Sequence, residues 1–215
     1  MVRRLITTLA ISCLLYFTGV GFASDQNQVT GPWSELLELK QTSSFRYQET
    51  RYLQLLDQPW QGGGLLLASK DGTLVKLQMR PQRKIMAITP GEMIYFDSET
   101  GERHRMPLSA SNPMARQALI FQELLQGNPD KISADYDLVF QQKTSSWLLR
   151  LKPKPVASVI IFSEIIMRGN TNDTSRSITL NEQGGDKTVM TMHVLETGPQ
   201  LEYMIERLLR EATGQ

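Results

Sequence analysis

Polar and apolar residues alternate in short stretches along most of this chain, and turn residues separate the stretches at close intervals. Phe45 to Leu56 alternates in part, with Tyr47, Glu49 and Arg51 on one face. "GGGLLLAS" follows the turn from Pro59 to Gly64, and "KDG" at Lys70 to Gly72 is a hairpin signal. In "TLVKLQMRP", Val75, Leu77 and Met79 face one way, while Lys76, Gln78 and Arg80 face the other. "RKIMAIT", "EMIYFD" and "ERHRMPL" read as three further strands, with turns at Pro90–Gly91 and Ser98–Gly101. Strands resume at "YDLVFQQ", "SWLLRLKP", "SVIIFSEIIMRG", "SRSITLNE" and "TVMTMHVLE", with a hairpin turn at Gln183 to Lys187. This spacing is that of an antiparallel all-β sheet or barrel.

The period changes from two to about 3.6 in three places. "PWSELLELKQ" starts with Pro32 at a first helical position and repeats Trp33, Leu36, Leu37 and Lys40 at helical spacing. "NPMARQALIFQELLQG" has Asn112 as N-cap, Pro113 at the first helical position and Gly127 as a stop. The third runs from Pro199 to about Ala212 with Leu201, Met204, Ile205, Leu208 and Leu209 on one face. The expectation is a mainly β chain of the α+β class: about ten antiparallel strands, with one helix before the sheet, one interrupting it and one after it.

The first residues stand apart from this pattern. Arg3 and Arg4 precede an almost wholly apolar run from Leu5 to Phe17, and Gly21 and Ala23 have the spacing of a signal-peptidase site. The expectation is a cleaved secretory signal over 1–23 and a single domain over 24–215. The apolar run is short of the ~20 residues that span a bilayer. "LAIS" before Cys13 is a poor lipobox. Cleavage removes Cys13, the one cysteine in 215 residues, so the exported domain uses neither disulfides nor thiols. It also removes Arg3 and Arg4, which leaves 21 basic residues against 22 acidic. A near-neutral domain is a poor match for nucleic acid.

Motifs for catalysis are missing. His104 and His193 are the only histidines and have no paired ligand spacing, so no metal site is expected. There is no Walker loop, dinucleotide fingerprint or G-x-S-x-G elbow. "QGGGLLL" reads as a turn and a strand start. "NDT" at Asn172 to Thr174 is a sequon taken as a loop marker.

Three features remain. Met79, Met86, Met93, Met167, Met190 and Met192 lie on or near strands, with Phe140, Trp147, Leu149, Ile161, Phe162 and Ile165 on others. Methionine ordinarily fills core gaps, and it is over-used on surfaces that accept varied apolar partners. "SVIIFSEIIMRG" is apolar on both faces, with Val159, Ile161, Ile165 and Met167 on one and Ile160, Phe162 and Ile166 on the other. A half-exposed strand would alternate. One face then packs under a helix and the other lines a cavity, or the strand is buried between two layers. Finally, Arg46, Arg51, Arg80, Arg83, Arg103 and Arg105 cluster around the meander. Each is ordinarily a solvated or ion-paired surface residue, though an arginine at a cavity rim can also bond loop carbonyls.

In the segments "LLELKQTSSFRYQETRYL", "LVKLQMRPQRKIMAI", "PGEMIYFDSETGERHRMPL" and "WLLRLKP", and in the order of its elements, the chain resembles the LolA family of periplasmic outer-membrane lipoprotein carriers. The resemblance covers most of the domain and is nearest to LolA-related paralogues. It implies a half-closed antiparallel β-barrel with helices as a lid over a hydrophobic cavity. The residues assigned to that cavity are Leu66, Leu77, Met79, Met86, Phe140, Trp147, Leu149, Ile161, Ile165, Met167, Met190 and Met192. Arg80, before Pro81, matches the arginine that keeps the lid shut. The implied role is non-enzymatic and needs no cofactor. A monomer in the periplasm carries an acylated lipoprotein or lipid cargo from an inner-membrane donor complex to an outer-membrane acceptor. The alternative on the same scaffold is a lipoprotein- or lipid-responsive sensor module. An enzyme acting on lipids is the weakest of the three readings.

Overall fold

Short alternating segments joined by tight turns pair with their neighbours in sequence, and the result is one sheet. The structure is a computed structural model that describes residues 33–37, 39–109, 113–125, 129–155, 161–171 and 174–215. The proposed signal segment with Cys13, Pro32, the Asn112 cap, the Gly127 stop, Val159, Ile160 and Asn172 lie outside the described residues. The strands are β1 (Ser43–Tyr52), β2 (Trp60–Ala68), β3 (Leu74–Arg80), β4 (Lys84–Ile88), β5 (Glu92–Asp97), β6 (Arg103–Pro107), β7 (Tyr136–Gln142), β8 (Ser146–Pro153), β9 (Phe162–Asn170), β10 (Arg176–Glu182) and β11 (Lys187–Thr197). The helices are α1 (Trp33–Leu37), α2 (Pro113–Leu125), α3 (Pro129–Asp135) and α4 (Gln200–Thr213).

The strand order is β6-β5-β4-β3-β2-β1-β11-β10-β9-β8-β7, antiparallel throughout and not closed into a barrel. Two meanders, β1 to β6 and β7 to β11, join at the central pair β1 and β11. Among the described residues there are eleven strands where the pattern predicts about ten, and four helices where it predicts three. The additional helix, α3, has only seven residues, too few for a 3.6-residue period to declare itself.

Alternation and register divide the side chains between two faces. On the inner face, α1, α2 and α3 supply Trp33, Leu37, Leu124 and Ile132 to a buried cluster. The sheet supplies Phe45, Tyr47, Ala68, Phe140, Trp147, Leu149, Ile165, Met167 and Met192. On the outer face, α4 packs Ile205, Leu208 and Ala212 against Leu67, Val75, Ile85, Ala87, Ile94 and Phe96. This second layer explains why β2, β4 and β5 are apolar on both sides. Two glycines permit close approach. A side chain at Gly64 would run into the Leu77 carbonyl, at the point where the β2–β3 register shifts. A side chain at Gly169 would run into the indole of Trp147, its cross-strand partner.

In β9 the even split of apolar residues between two faces does not hold. Phe162 and Ile165 both join the inner cluster, because the register against β10 shifts between Asn181 and Glu182. Ile166 points the other way and is 8% exposed.

The helix α4 is held by apolar burial with polar fastenings at each end. Thr42 donates to Glu202 near its start. Arg83 reaches both carboxylate oxygens of Glu211 near its end, with Nη2 2.8 Å from Oε2. Both partners of the second pair are more than a third exposed, at 38% and 39%. Arg83→Ala is therefore expected to lower stability by less than about 1 kcal/mol in urea unfolding. A larger loss would mean that the ion pair, and not Leu201, Ile205 and Leu208, fastens α4.

Candidate functional site

The inner face is the candidate site, and it is built from rows of side chains that run across the strands. One row contains Phe140, Leu149, Met167, Ile178, Met190 and Glu49, set by the pairings of Leu149 with Phe140 and Met167, and of Met190 with Ile178 and Glu49. The next contains Trp147, Gly169, Arg176, Met192, Tyr47 and Gly64. The first row is apolar from β7 to β11 and ends on Glu49, and the second carries Arg176 of β10 among apolar residues.

Of the residues assigned to a cavity, Phe140, Trp147, Leu149, Ile165, Met167 and Met192 are buried in this one cluster, and Leu66 and Met190 pack against it half-buried. Met86 is half-buried and paired with Lys76 and Tyr95, outside that cluster. Leu77 and Met79 are corrected: they lie on the outer face. Leu77 packs beside the α4 cluster and Met79 is 56% exposed. The alternation in β3 was right, but the apolar set faces α4 and the polar set, Lys76 and Gln78, faces inward. Ile161 precedes β9, is half-buried and belongs to neither cluster. Arg80 is exposed at the end of β3, and among the described residues it has no hydrogen bond to the helices.

The polar end of the face is a buried ion cluster that the sequence reading did not single out as a site. Glu49 is 3% exposed. Arg51 Nε lies 2.7 Å from its Oε1, and Lys76 Nζ bonds its Oε2. Burial alone raises the pKa of the Glu49 carboxyl, but the charges and hydrogen bonds of Lys76 and Arg51 outweigh it and hold it below the usual value. For Lys76 the balance reverses. Burial lowers its pKa and Arg51 adds to this, and Glu49 does not fully restore it. The Lys76 ammonium sits 5.0 Å from the centre of the Tyr47 ring, and the Arg51 guanidinium sits 4.8 Å from that of Trp60. Burial, reinforced by the Glu49 charge and opposed by Arg51, pushes the Tyr47 hydroxyl well above its ordinary pKa.

A few polar bonds tie the described parts of these helices to the rest of the fold, and Lys154 N–H donates to the Asp135 carbonyl of α3 at 2.9 Å. Arg176 Nη2 donates to the carbonyl oxygen of Leu36 in α1 at 2.7 Å. Gln122 of α2 donates to the Gly72 carbonyl at 2.6 Å, and Lys154 donates to the Ser133 carbonyl of α3 at 2.6 Å. Among the described residues, Arg176 is the inner-face arginine that reaches a helix carbonyl, while Arg103 of β6 reaches that of Glu211 in α4 at 3.4 Å on the other face. The position of Arg176 two before Ile178 and four before Leu180, on an apolar stripe, was the available signal. Of the arginines around the meander, Arg51, Arg83 and Arg105 are ion-paired with Glu49, Glu211 and Glu92. Arg103 lies 4.1 Å over the Phe96 ring.

On the outer face, a shallow open depression of about 240 Å³ is lined by Arg168, Ser177, Thr191 and His193 among others. Ser175 Oγ and His193 Nδ1 are 2.7 Å apart there. Among the described residues no carboxylate bonds His193, the arrangement that would orient a histidine as a base. The described residues also contain no group of three or more His, Cys, Asp or Glu side chains placed to hold a metal ion, and no helix long and apolar enough to cross a membrane.

No family model and no curated protein matches the chain. Solved structures do match, at low identity. A LolA superfamily protein from Nitrosomonas europaea is 8% identical, over 79% of this chain and 93% of that one, with a TM-score of 0.40. A DUF1329 family protein from Desulfovibrio piger is 13% identical, over 74% and 86%, at 0.42. A domain from Vibrio parahaemolyticus, described as outer membrane lipoprotein-sorting, is 8% identical, over 81% and 94%, at 0.41.

Proposed function

We propose that the protein is a periplasmic carrier that holds the acyl chains of a lipoprotein or lipid against the inner face of its sheet. It would receive that cargo at the inner membrane and deliver it toward the outer membrane. One observation carries the reading. Eight of the twelve residues assigned to acyl contact converge on one face, and among the described residues the three helices above that face are tied down by a few polar bonds. Such a layer can lift without breaking the sheet. The acyl chain would replace the apolar contacts of α1 to α3, and each buried methylene contributes about 0.8 kcal/mol. A twelve-carbon chain then gives roughly 10 kcal/mol before ordering costs. Thioethers at Met167, Met190 and Met192 suit chains of varied shape. The bond from Arg176 to Leu36 is the one that opens first in this scheme, the part the resemblance gives to Arg80. The carrier acts as a monomer, needs no cofactor and performs no chemistry. It depends on an inner-membrane donor complex and an outer-membrane acceptor.

Native mass spectrometry of protein prepared from the periplasm without detergent tests this. A co-purifying acylated species, or uptake of one added in solution, is expected, and its mass distinguishes lipoprotein from glycolipid. A clean unliganded mass with no uptake would sink the carrier reading in favour of a sensor module that binds its partner without lipid.

A further inference from the structure

Buried polar atoms in folded proteins nearly always have a hydrogen-bond partner, and an orphaned one needs a cause. On the inner face two donors have none among the described residues: the Tyr47 hydroxyl and Arg176 Nη1. They lie in one row, on either side of Met192. Tyr47 pairs with Met192 across β1 and β11, and Met192 pairs with Arg176 across β11 and β10. The two backbones are thus two strands apart, about 10 Å at ordinary strand spacing. Tyr47 is 1% exposed and Met192, between them, is 2% exposed. Beside Tyr47 stands the Lys76 ammonium, which uses one of its N–H groups on Glu49.

The chemistry of this row is one-sided. A guanidinium and an ammonium donate and never accept, and the phenol is free to donate. Arg176 is the charged member of this row, and the Lys76 ammonium over the Tyr47 ring shares the carboxylate of Glu49, in the next row, with Arg51. What complements the row is an acceptor with negative charge. Apolar side chains continue on either side of it, Phe45 and Val194 in one direction and Met190 and Ile178 in the other.

We propose that Tyr47, Lys76 and Arg176 form a subsite for the anionic head of an amphiphile, a phosphate or carboxylate whose chain lies along the adjoining apolar rows. This rests on the carrier reading above and adds the head-group class to it. It also couples binding to the helices. Arg176 holds α1 through the Leu36 carbonyl on Nη2, and an anion that draws Nη1 and Nη2 together into a bidentate pair releases that carbonyl. The head group therefore unfastens α1 as the chain enters beneath it.

The test is displacement of the apolar fluorescent probe 1-N-phenylnaphthylamine from the full chain, by dodecyl phosphate and by uncharged monolauroylglycerol, both below their micelle concentrations. Dodecyl phosphate is expected to compete about tenfold more strongly, as for one hydrogen bond to a charged group. Tyr47→Phe and Arg176→Gln should each reduce that advantage severalfold and leave the uncharged amphiphile within about twofold. Tyr47→Phe removes only an unpaired hydroxyl, so its thermal midpoint should hold or rise, which separates a lost contact from lost folding. Equal competition by the two amphiphiles, or an advantage that survives both variants, overturns the subsite alone. Inorganic phosphate that displaces dodecyl phosphate at equal concentration overturns the amphiphile and leaves a free-anion site. If probe and amphiphiles all fail to bind, the carrier reading falls and the subsite with it.

Discussion

Leu149→Ala is expected to lower the unfolding free energy by about 3–5 kcal/mol, measured by urea unfolding with tryptophan fluorescence. Leu149 is fully buried at the middle of β8, with Phe140 and Met167 as its cross-strand neighbours. Removing it deletes three carbons from the centre of the inner cluster. Its sheet neighbours cannot close the gap by backbone movement, because they are fixed in the ladder on both sides. Met167, its neighbour on β9, can reach partly into the space, which favours the lower end of the range. Met79→Ala is the control. That side chain is 56% exposed on the other face, and its loss should stay within about 0.5 kcal/mol. A loss below about 1 kcal/mol for Leu149→Ala would mean that the inner cluster is not packed as described. Bound amphiphile should restore part of the stability, since a ligand that binds only the folded chain stabilises it by mass action.

The contrast between Leu149 and Met79 is also the limit of what the sequence made legible. Alternation identifies which residues of a strand share a face, but it does not name the face. In β3 the partition of Val75, Leu77 and Met79 from Lys76 and Gln78 was correct. Their direction depends on α4, which arrives at the end of the chain and covers the outer side of β2 to β5. The C-terminal helix itself was plain from its amphipathic period, yet nothing local says which side it will cover. Tyr47, Glu49 and Arg51 were legible as one face. That Lys76 would join them required the β2–β3 register, including the shift at Gly63 and Gly64. The pairing of β1 with β11 joins segments about 150 positions apart in sequence, and short-range patterns carry no information on it. Arg176 was legible only as an odd charge on an apolar stripe.

Glu49→Gln is expected to destabilise the protein by about 3 kcal/mol and to change the shape of its stability against pH. The wild-type carboxylate is almost wholly buried and its two oxygens are taken by Arg51 and Lys76. Arg51 is 39% exposed at its side chain and can turn to water, whereas Lys76 is at 16% and cannot easily do so. The loss therefore comes mainly from an ammonium left buried beside a neutral amide. Replacing both partners, as Glu49→Leu with Lys76→Met, should recover most of it, because no unpaired charge then remains. The pH dependence follows from the directions of the two shifts. The folded Glu49 carboxyl sits below its ordinary 4.5, so its contribution is full above that pH and is lost as pH falls through the folded value. Glu49→Gln should lack that part of the acid decline. At alkaline pH the sign reverses. Lys76 in the fold already sits below its ordinary 10.5 even with Glu49 beside it. Without that carboxylate it drops further, so over a wider range the unfolded chain binds a proton that the folded chain has released. Stability then rises with pH in that range, and the gap between variant and wild type narrows. Urea midpoints collected from acid to alkaline pH check both limbs. Parallel curves would mean that the cluster is solvated and that Glu49 does not hold a buried cation.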